Sequence, residues 1–163
     1  MSDSAPVREP FDSLVRKITQ ALAGRPLDAA LQAWLNETHG PDSAWFRDMQ
    51  AAAQAGVREG WMCKHQAEDN PKLRYGRVTK PTPDTAQFSV DVVDMDDCIG
   101  PHHAHPNGEI DLVMPLTPDA RFDGTPAGWK VYPPGSAHRP TVSQGRALVL
   151  YLLPEGRIEF TKS

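Results

Sequence analysis

Residues 100–111, GPHHAHPNGEID, concentrate side chains that can bind a metal ion. Three of the chain's six histidines lie in this segment, together with one nearby glutamate. These residues are His102, His103, His105 and Glu109. Imidazole nitrogens and carboxylate oxygens suit divalent transition metals, and the ligand types alone do not choose among Fe, Mn, Ni, Co and Zn. A metal in such a site can polarise a substrate oxygen, activate water or, in the case of iron, react with oxygen.

Strand geometry divides the histidines into two groups. Side chains alternate between the two faces of a strand, so His103 and His105 share one face while His102 points away. The turn-forming segment 106–108, Pro-Asn-Gly, can reverse the chain. We therefore expect Glu109 to open the next strand and to face the same ion.

A fourth ligand has to come from elsewhere in the chain. The best candidate is His138, which follows a tight turn in Pro-Pro-Gly-Ser-Ala-His at 133–138 and is expected at the start of a strand. Asp111 should lie on the same face as Glu109, and either carboxylate is a candidate for proton transfer. The alternative for Asp111 is an ordinary exposed strand residue.

The rest of the chain supplies the elements that must position these residues. Apolar residues recur at helical spacing in three stretches of residues 1–58, which predicts a helical region. From residue 59 the pattern changes to short alternating segments separated by Pro- and Gly-rich turns. Alternation is clearest at 75–78, 88–92, 109–114, 130–132, 147–153 and 157–160. We predict one domain, 1–163, in which helices 1–58 pack on a β-barrel or sandwich, 59–163.

Composition excludes several classes of protein. The chain has 163 residues and a net charge of −4, without a basic run, so a nucleic-acid partner is not expected. Its apolar stretches are too short to span a bilayer, and its N-terminus lacks the apolar segment of a signal peptide. With only two cysteines, Cys63 and Cys98, a disulfide framework is not expected. These features predict a cytoplasmic protein that does not bind membranes.

Two motifs resemble those of the cupin family. Its H-x-H-x-x-x-E core matches residues 103–109, and its P-x-G-x-x-H core matches residues 133–138. The flanking glycines and asparagine of that family are replaced at four positions, namely Asp97, Leu116, Ala127 and Val142. The resemblance implies a jelly-roll β-barrel (a double-stranded β-helix), a homodimer, and a divalent metal with four ligands. Those ligands are His103, His105, Glu109 and His138.

A narrower resemblance is to the 4-hydroxylaminobenzoate lyase family. It lies in segments 100–111, 126–138 and 148–156, together with the helical N-terminal third. It implies an enzyme that converts 4-hydroxylaminobenzoate and water to protocatechuate and ammonia, without oxygen or nicotinamide. A small aromatic acid needs a cation for its carboxylate and a surface for its ring, and we assign these roles to Arg77 and Tyr132. Two alternatives remain open: an iron-dependent dioxygenase acting on a small aromatic or organic acid, and a non-catalytic cupin that binds a small ligand.

Overall fold

Three α-helices open the part of the chain that the computed structural model describes, residues 8–161. They are α1 (Phe11–Leu22), α2 (Ala29–Thr38) and α3 (Ala44–Glu59), as predicted from the apolar spacing. Side chains that accept hydrogen bonds from the first turn cap two of them, Asp28 at α2 and Ser43 at α3. None of the described helices combines the length and the apolar character that a bilayer-spanning helix needs.

The remainder of the described chain is β-rich and forms two antiparallel sheets. The strands are β1 (His65–Gln66), β2 (Leu73–Thr79), β3 (Phe88–Ile99), β4 (His103–His105), β5 (Glu109–Pro115), β6 (Arg121–Phe122), β7 (Gly128–Tyr132), β8 (Ser136–His138), β9 (Thr141–Pro154) and β10 (Glu159–Phe160). A short 3-10 helix, Pro83–Thr85, precedes β3. The larger sheet runs β1-β2-β3-β9-β5-β7, with β6 also paired to β9, and the smaller sheet runs β10-β4-β8.

The larger sheet has one face for the helices and one for the smaller sheet. On β5, Ile110, Leu112 and Met114 are fully buried in the core that contains the three helices. The alternate residues Glu109 and Asp111 point to the opposite face and are also fully buried. This division follows from the alternation of side chains along a strand, and it confirms the predicted orientation of β5.

The smaller sheet lies over the second face of the larger sheet. Its β4 and β8 side chains reach Glu109 of β5, and the ring of His103 lies 6.2 Å from that of Tyr151 on β9. The predicted mainly β cupin fold is confirmed as a jelly roll of two sheets. No backbone hydrogen-bond ladder joins these sheets within residues 8–161, so they do not close into a continuous barrel. One detail of the prediction was wrong: His138 ends strand β8 and does not begin a strand.

The turn between β4 and β5 depends on a glycine. Gly108 donates its backbone N–H to the carbonyl of His105 at 3.1 Å and has φ of +90°. A Cβ at this position would lie 2.6 Å from Leu27 Cδ2 and 2.8 Å from the carbonyl oxygen of Tyr132. The turn therefore requires glycine both for its backbone conformation and for the space around it.

We expect Gly108→Ala to lower the free energy of unfolding more than Gly135→Ala does. Both residues have positive φ, but a Cβ at Gly135 would meet nothing within 4 Å. Gly135→Ala should therefore cost about 1–2 kcal/mol from backbone strain alone. Gly108→Ala should cost about 1–3 kcal/mol more because of the overlap. Urea unfolding measures both, and equal losses would contradict this account of the turn.

Candidate metal centre

Four side chains converge between the two sheets, and they are the four predicted metal ligands. The imidazoles of His103, His105 and His138 surround the carboxylate of Glu109. Glu109 Oε1 lies 3.3 Å from His103 Nε2 and 3.2 Å from His105 Nε2, and Oε2 lies 3.5 Å from His138 Nε2. One ligand atom from each residue falls within 4.8 Å of all the others. This cluster could hold a metal ion.

Strand pairing explains how residues distant in sequence meet here. In the β4–β8 ladder, His103 pairs directly with His138, and His105 pairs with Ser136. Directly opposed residues on antiparallel strands have Cβ atoms about 5 Å apart, so their side chains can share one ligand. The Pro-Asn-Gly turn after β4 then places Glu109 on β5, beneath the imidazoles. His102 lies outside the cluster as predicted, and its Nδ1 is 2.5 Å from the hydroxyl of Thr161.

Two atoms at the centre of the cluster are buried without a hydrogen bond. Among the described residues, neither His105 Nε2 nor Glu109 Oε2 has a partner with hydrogen-bond geometry. Buried polar atoms are nearly always paired, and an unpaired one costs about 1–3 kcal/mol. Both atoms belong to residue types that bind divalent transition metals through the same atoms. The residues present therefore fit a metal ion, which would satisfy both atoms.

Neighbouring polar groups hold the histidines in the orientation that a metal requires. His138 Nδ1 lies 2.5 Å from Asp123 Oδ2, so the proton on Nδ1 is donated to the carboxylate and Nε2 faces the cluster. The Ser136 hydroxyl donates to Pro133 O at 2.6 Å and so accepts from His105 Nδ1 at 3.0 Å, which leaves His105 Nε2 for the metal. Such contacts to the outer nitrogen fix both the ring orientation and the tautomer.

Tyr132 lies next to the ligands and takes part in the same support. Its hydroxyl donates a hydrogen bond to Asp123, and its ring centroid is 4.5 Å from that of His138 and 5.4 Å from that of His105. We predicted that Tyr132 binds the substrate ring. That role stays a prediction, and the contacts of the hydroxyl give Tyr132 a second role, in orienting His138 through Asp123.

The two carboxylates of β5 have opposite electrostatic environments. Burial alone would raise the pKa of Glu109, but the adjacent imidazoles of His103, His105 and His138 hold it well below its usual range. Burial and the adjacent Glu109 carboxylate raise the pKa of Asp111 well above its usual range. A proton on this pair is therefore favoured on Asp111 and the negative charge on Glu109, and the Asp111 oxygens have no partner with hydrogen-bond geometry among the described residues. Asp111 is buried, not the exposed strand residue that was its alternative.

A cavity of about 1360 Å³ leads from the surface to this cluster. The exposed side chains of Tyr75, Ile99 and Phe160 lie at its rim, and the buried His103 and Tyr151 line its inner end. Glu109, Asp111 and Tyr132 are not among its lining residues. A molecule in the cavity would thus approach the cluster on the side of His103.

Arg77, the predicted carboxylate ligand, does line this cavity. Its guanidinium already pairs with Asp91, through Nε at 2.8 Å and Nη2 at 3.3 Å, and Nη2 also donates to Gly156 O. Nη1 makes no hydrogen bond within the described part of the chain. Arg77 can therefore still donate to an anion, although Asp91 neutralises much of its charge.

Asp123, Ser136 and Tyr151 belong to the site but were missed in the sequence. Asp123 opens an Asp-Gly turn, and Ser136 lies inside the second cupin motif. A turn by itself explains an aspartate and a serine at these positions, so neither residue was assigned to the site. Tyr151 lies in the apolar run of β9, where its residue type predicts only packing.

We expect Asp123→Asn to weaken metal binding by about 10–100-fold, because His138 loses the carboxylate that orients it. The variant keeps an oxygen that can accept the N–H of Thr141, which is 2.9 Å from Oδ1. Chelator competition measures the dissociation constant. His103→Ala should abolish binding, and Asp119→Asn on the exposed surface should change nothing. An unchanged affinity in Asp123→Asn would contradict this role.

Metal binding should strengthen as the pH rises. Burial lowers the pKa of His138, but the hydrogen bond to Asp123 and the nearby negative charge of Glu109 outweigh it and raise the pKa to about 9. A ligand imidazole must be neutral, so at pH 7 the metal has to displace a proton. The dissociation constant should fall about tenfold per pH unit until pH reaches the His138 pKa.

Calorimetry in buffers of different ionisation enthalpy counts the released protons. About one proton should leave at pH 7, and fewer in Asp123→Asn, in which His138 is less basic. A dissociation constant independent of pH between 7 and 9 would show that His138 does not carry this proton.

Comparison with known proteins identifies relatives along nearly the whole chain. A family model described as "PnbB: 4-hydroxylaminobenzoate lyase" matches residues 13–160. A protein named 4-hydroxylaminobenzoate lyase from Nocardioides sp. (strain LMS-CY) is 34% identical over 146 residues, covering 85% of this chain and 86% of that protein. One of the same name from Pseudomonas putida is 34% identical over 148 residues, covering 82% and 84%.

A solved structure supports the fold. A chain from "Crystal structures of DMSP lyases RdDddP and RnDddQII" aligns with a TM-score of 0.52 over 92% of this chain and 95% of that chain. At 14% identity, this likeness is evidence for the fold alone. The family match and the two relatives establish more, since they extend over the helices, both cupin motifs and strand β9. The chain therefore belongs to the 4-hydroxylaminobenzoate lyase family, and it is an enzyme of the lyase type.

Proposed function

We propose that this protein is a metal-dependent lyase that converts 4-hydroxylaminobenzoate to protocatechuate and ammonia. One observation carries the proposal: a buried cluster of three imidazoles and a carboxylate lies at the inner end of a cavity in a chain of this family. The substrate is assigned from the names of the relatives. The cavity is large enough for a small aromatic acid.

The reaction is balanced without an external oxidant or reductant. The N–O bond of the hydroxylamino group breaks, and the electron pair leaves with oxygen. Water then attacks the electron-poor ring at the carbon next to the one that bears nitrogen, and a second water hydrolyses the resulting imine and releases ammonia, so that with the oxygen lost from nitrogen one water is consumed overall. The hydroxylamino group is the internal oxidant, which is why neither oxygen nor nicotinamide is needed.

The residues of the cluster have separate tasks in this scheme. His103, His105, Glu109 and His138 would hold a divalent transition metal. When bound, this ion supplies Lewis-acid polarisation of a substrate oxygen and activation of water. Asp111, whose pKa is raised beside Glu109, holds a proton more tightly than Glu109 and remains our candidate for moving protons in the site.

We propose that the carboxylate of the substrate binds at the Arg77 side of the cavity. Cross-strand pairing arranges Arg77, Asp91, Tyr151 and Asp111 in one row on the inner face of the larger sheet. Three strand spacings separate Arg77 from Asp111, roughly 14 Å between their backbones. Side chains and an aromatic acid can fill this span, with the carboxylate toward Nη1 of Arg77 and the hydroxylamino group toward His103.

The test is turnover with air excluded. Protein depleted of metal and reloaded separately with Fe, Mn, Ni, Co or Zn should convert 4-hydroxylaminobenzoate to equal amounts of protocatechuate and ammonia with at least one of them. His138→Ala should lose this activity together with the metal, whereas His102→Ala should keep both. Product analysis by chromatography and an ammonia assay measure the outcome.

Two results would contradict the proposal. A strict need for oxygen would favour the dioxygenase alternative. Full turnover by protein without metal would exclude the ion from the reaction.

A further inference from the structure

Each of the chain's three tyrosines lies at or near the cavity or the ligand cluster, but in a different setting. Tyr75 lies at the cavity rim and is 45% exposed. The Tyr132 hydroxyl is bonded to Asp123, outside the cavity lining. Tyr151 is only 4% exposed and lines the inner end of the cavity beside His103. Solvent can bind the hydroxyl of Tyr75, and the carboxylate of Asp123 binds that of Tyr132. The surroundings of Tyr151 offer its hydroxyl no partner among the described side chains.

The Tyr151 hydroxyl makes no hydrogen bond with any residue that the structure describes. Its ring is fixed by neighbours: the centroids of His103 and Phe122 both lie 6.2 Å from that of Tyr151. Its cross-strand partners are Asp91 on β3 and Asp111 on β5. Buried tyrosine hydroxyls usually find a partner. A rigid and unpaired hydroxyl at the inner end of a cavity is therefore suited to a partner on a bound ligand.

The chemistry of a phenol limits what the Tyr151 hydroxyl can do for a bound ligand. A phenol is neutral at physiological pH and donates a hydrogen bond readily. It lies beside the metal ligand that the cavity reaches, so it faces the reacting end of a bound molecule and not the carboxylate end near Arg77. In 4-hydroxylaminobenzoate, the group at the reacting end that accepts hydrogen bonds and gains charge during the reaction is the hydroxylamino oxygen.

We propose that Tyr151 is a catalytic residue whose hydroxyl donates a hydrogen bond to the hydroxylamino oxygen of the substrate. This role rests on the proposed function. As the N–O bond breaks, its electron pair stays on oxygen, and the hydrogen bond stabilises the charge that develops there. Tyr151 keeps its proton. The proton that the attacking water loses balances the one that the departing hydroxide takes up.

Tyr151→Phe tests this role because it removes the hydroxyl and keeps the ring. We expect kcat to fall by about 10²–10³-fold, as for loss of one donor to a developing oxyanion. The KM should rise by up to about tenfold, because a hydrogen bond to the bound substrate is also lost, and the metal content should remain near that of the wild type, since no metal ligand is changed. Asp119→Asn, on the exposed surface outside the cavity, is the control, and it should keep wild-type kcat.

Binding of two unreactive analogues provides a second readout. In 4-(hydroxymethyl)benzoate a methylene replaces the N–H but the hydroxyl is kept, and 4-ethylbenzoate lacks that hydroxyl. Loss of one hydrogen bond should weaken binding of the hydroxymethyl compound to Tyr151→Phe by about tenfold, with the ethyl compound unaffected. Calorimetry on the metal-loaded wild type, Tyr151→Phe and the control Asp119→Asn measures these affinities.

The outcomes separate the role of Tyr151 from the proposed function. Wild-type turnover with unimpaired kcat in Tyr151→Phe would overturn the role of Tyr151 alone. Equal affinity of the wild type for the two analogues would overturn it as well, whether or not the variant folds. Absence of 4-hydroxylaminobenzoate turnover in the wild type would overturn the proposed function and this role with it.

Discussion

The buried carboxylate of Glu109 is the constraint on which the rest of the site depends. A charge removed from water costs several kcal/mol unless other groups compensate for it. Here the compensation comes from imidazoles on the opposing sheet, at 3.2–3.5 Å. The contact that keeps Glu109 ionised thus also joins the two sheets. A metal in this cluster would strengthen the same contact, so metal binding would be coupled to folding.

The orientation of the ligands in this cluster is set by groups that lie outside it. Asp123 and Ser136 each fix the outer nitrogen of one histidine, and Tyr132 in turn donates to Asp123. These residues lie in the turns and short strands around β8, which carry little of the apolar core. The larger sheet carries Glu109, and the smaller sheet carries the three histidines.

The two faces of the larger sheet have different roles: one stabilises the fold, and the other carries polar groups of the site. The face toward the helices is packed with apolar side chains such as Ile110, Leu112 and Trp129. The other face carries the polar row from Arg77 through Tyr151 to Asp111. Arg77, Asp91 and Tyr151 of this row line the cavity, and Asp111 lies beside Glu109 of the ligand cluster. The helices hold no residue of the cluster. They stabilise the sheet that carries it by burying the opposite, apolar face.

Much of this protein could be inferred from its sequence, because local rules govern those features. Helical spacing predicted α1 to α3, and strand alternation placed His103, His105 and Glu109 together and excluded His102. The cupin motifs supplied His138. These inferences succeeded because side-chain direction follows from backbone period alone.

Only the tertiary structure decided the surroundings of those ligands. The direct pairing of His103 with His138, the carboxylate of Asp123 behind His138, and the unpaired hydroxyl of Tyr151 all depend on strand register between distant segments. The sequence also favoured Tyr132 as a surface for the substrate ring. Only the fold shows that its hydroxyl is bonded to Asp123. Residue types and spacing thus determined which side chains can bind a metal. Long-range packing determined their protonation, their orientation and the side from which a substrate can approach, because these properties depend on neighbours that no local pattern encodes.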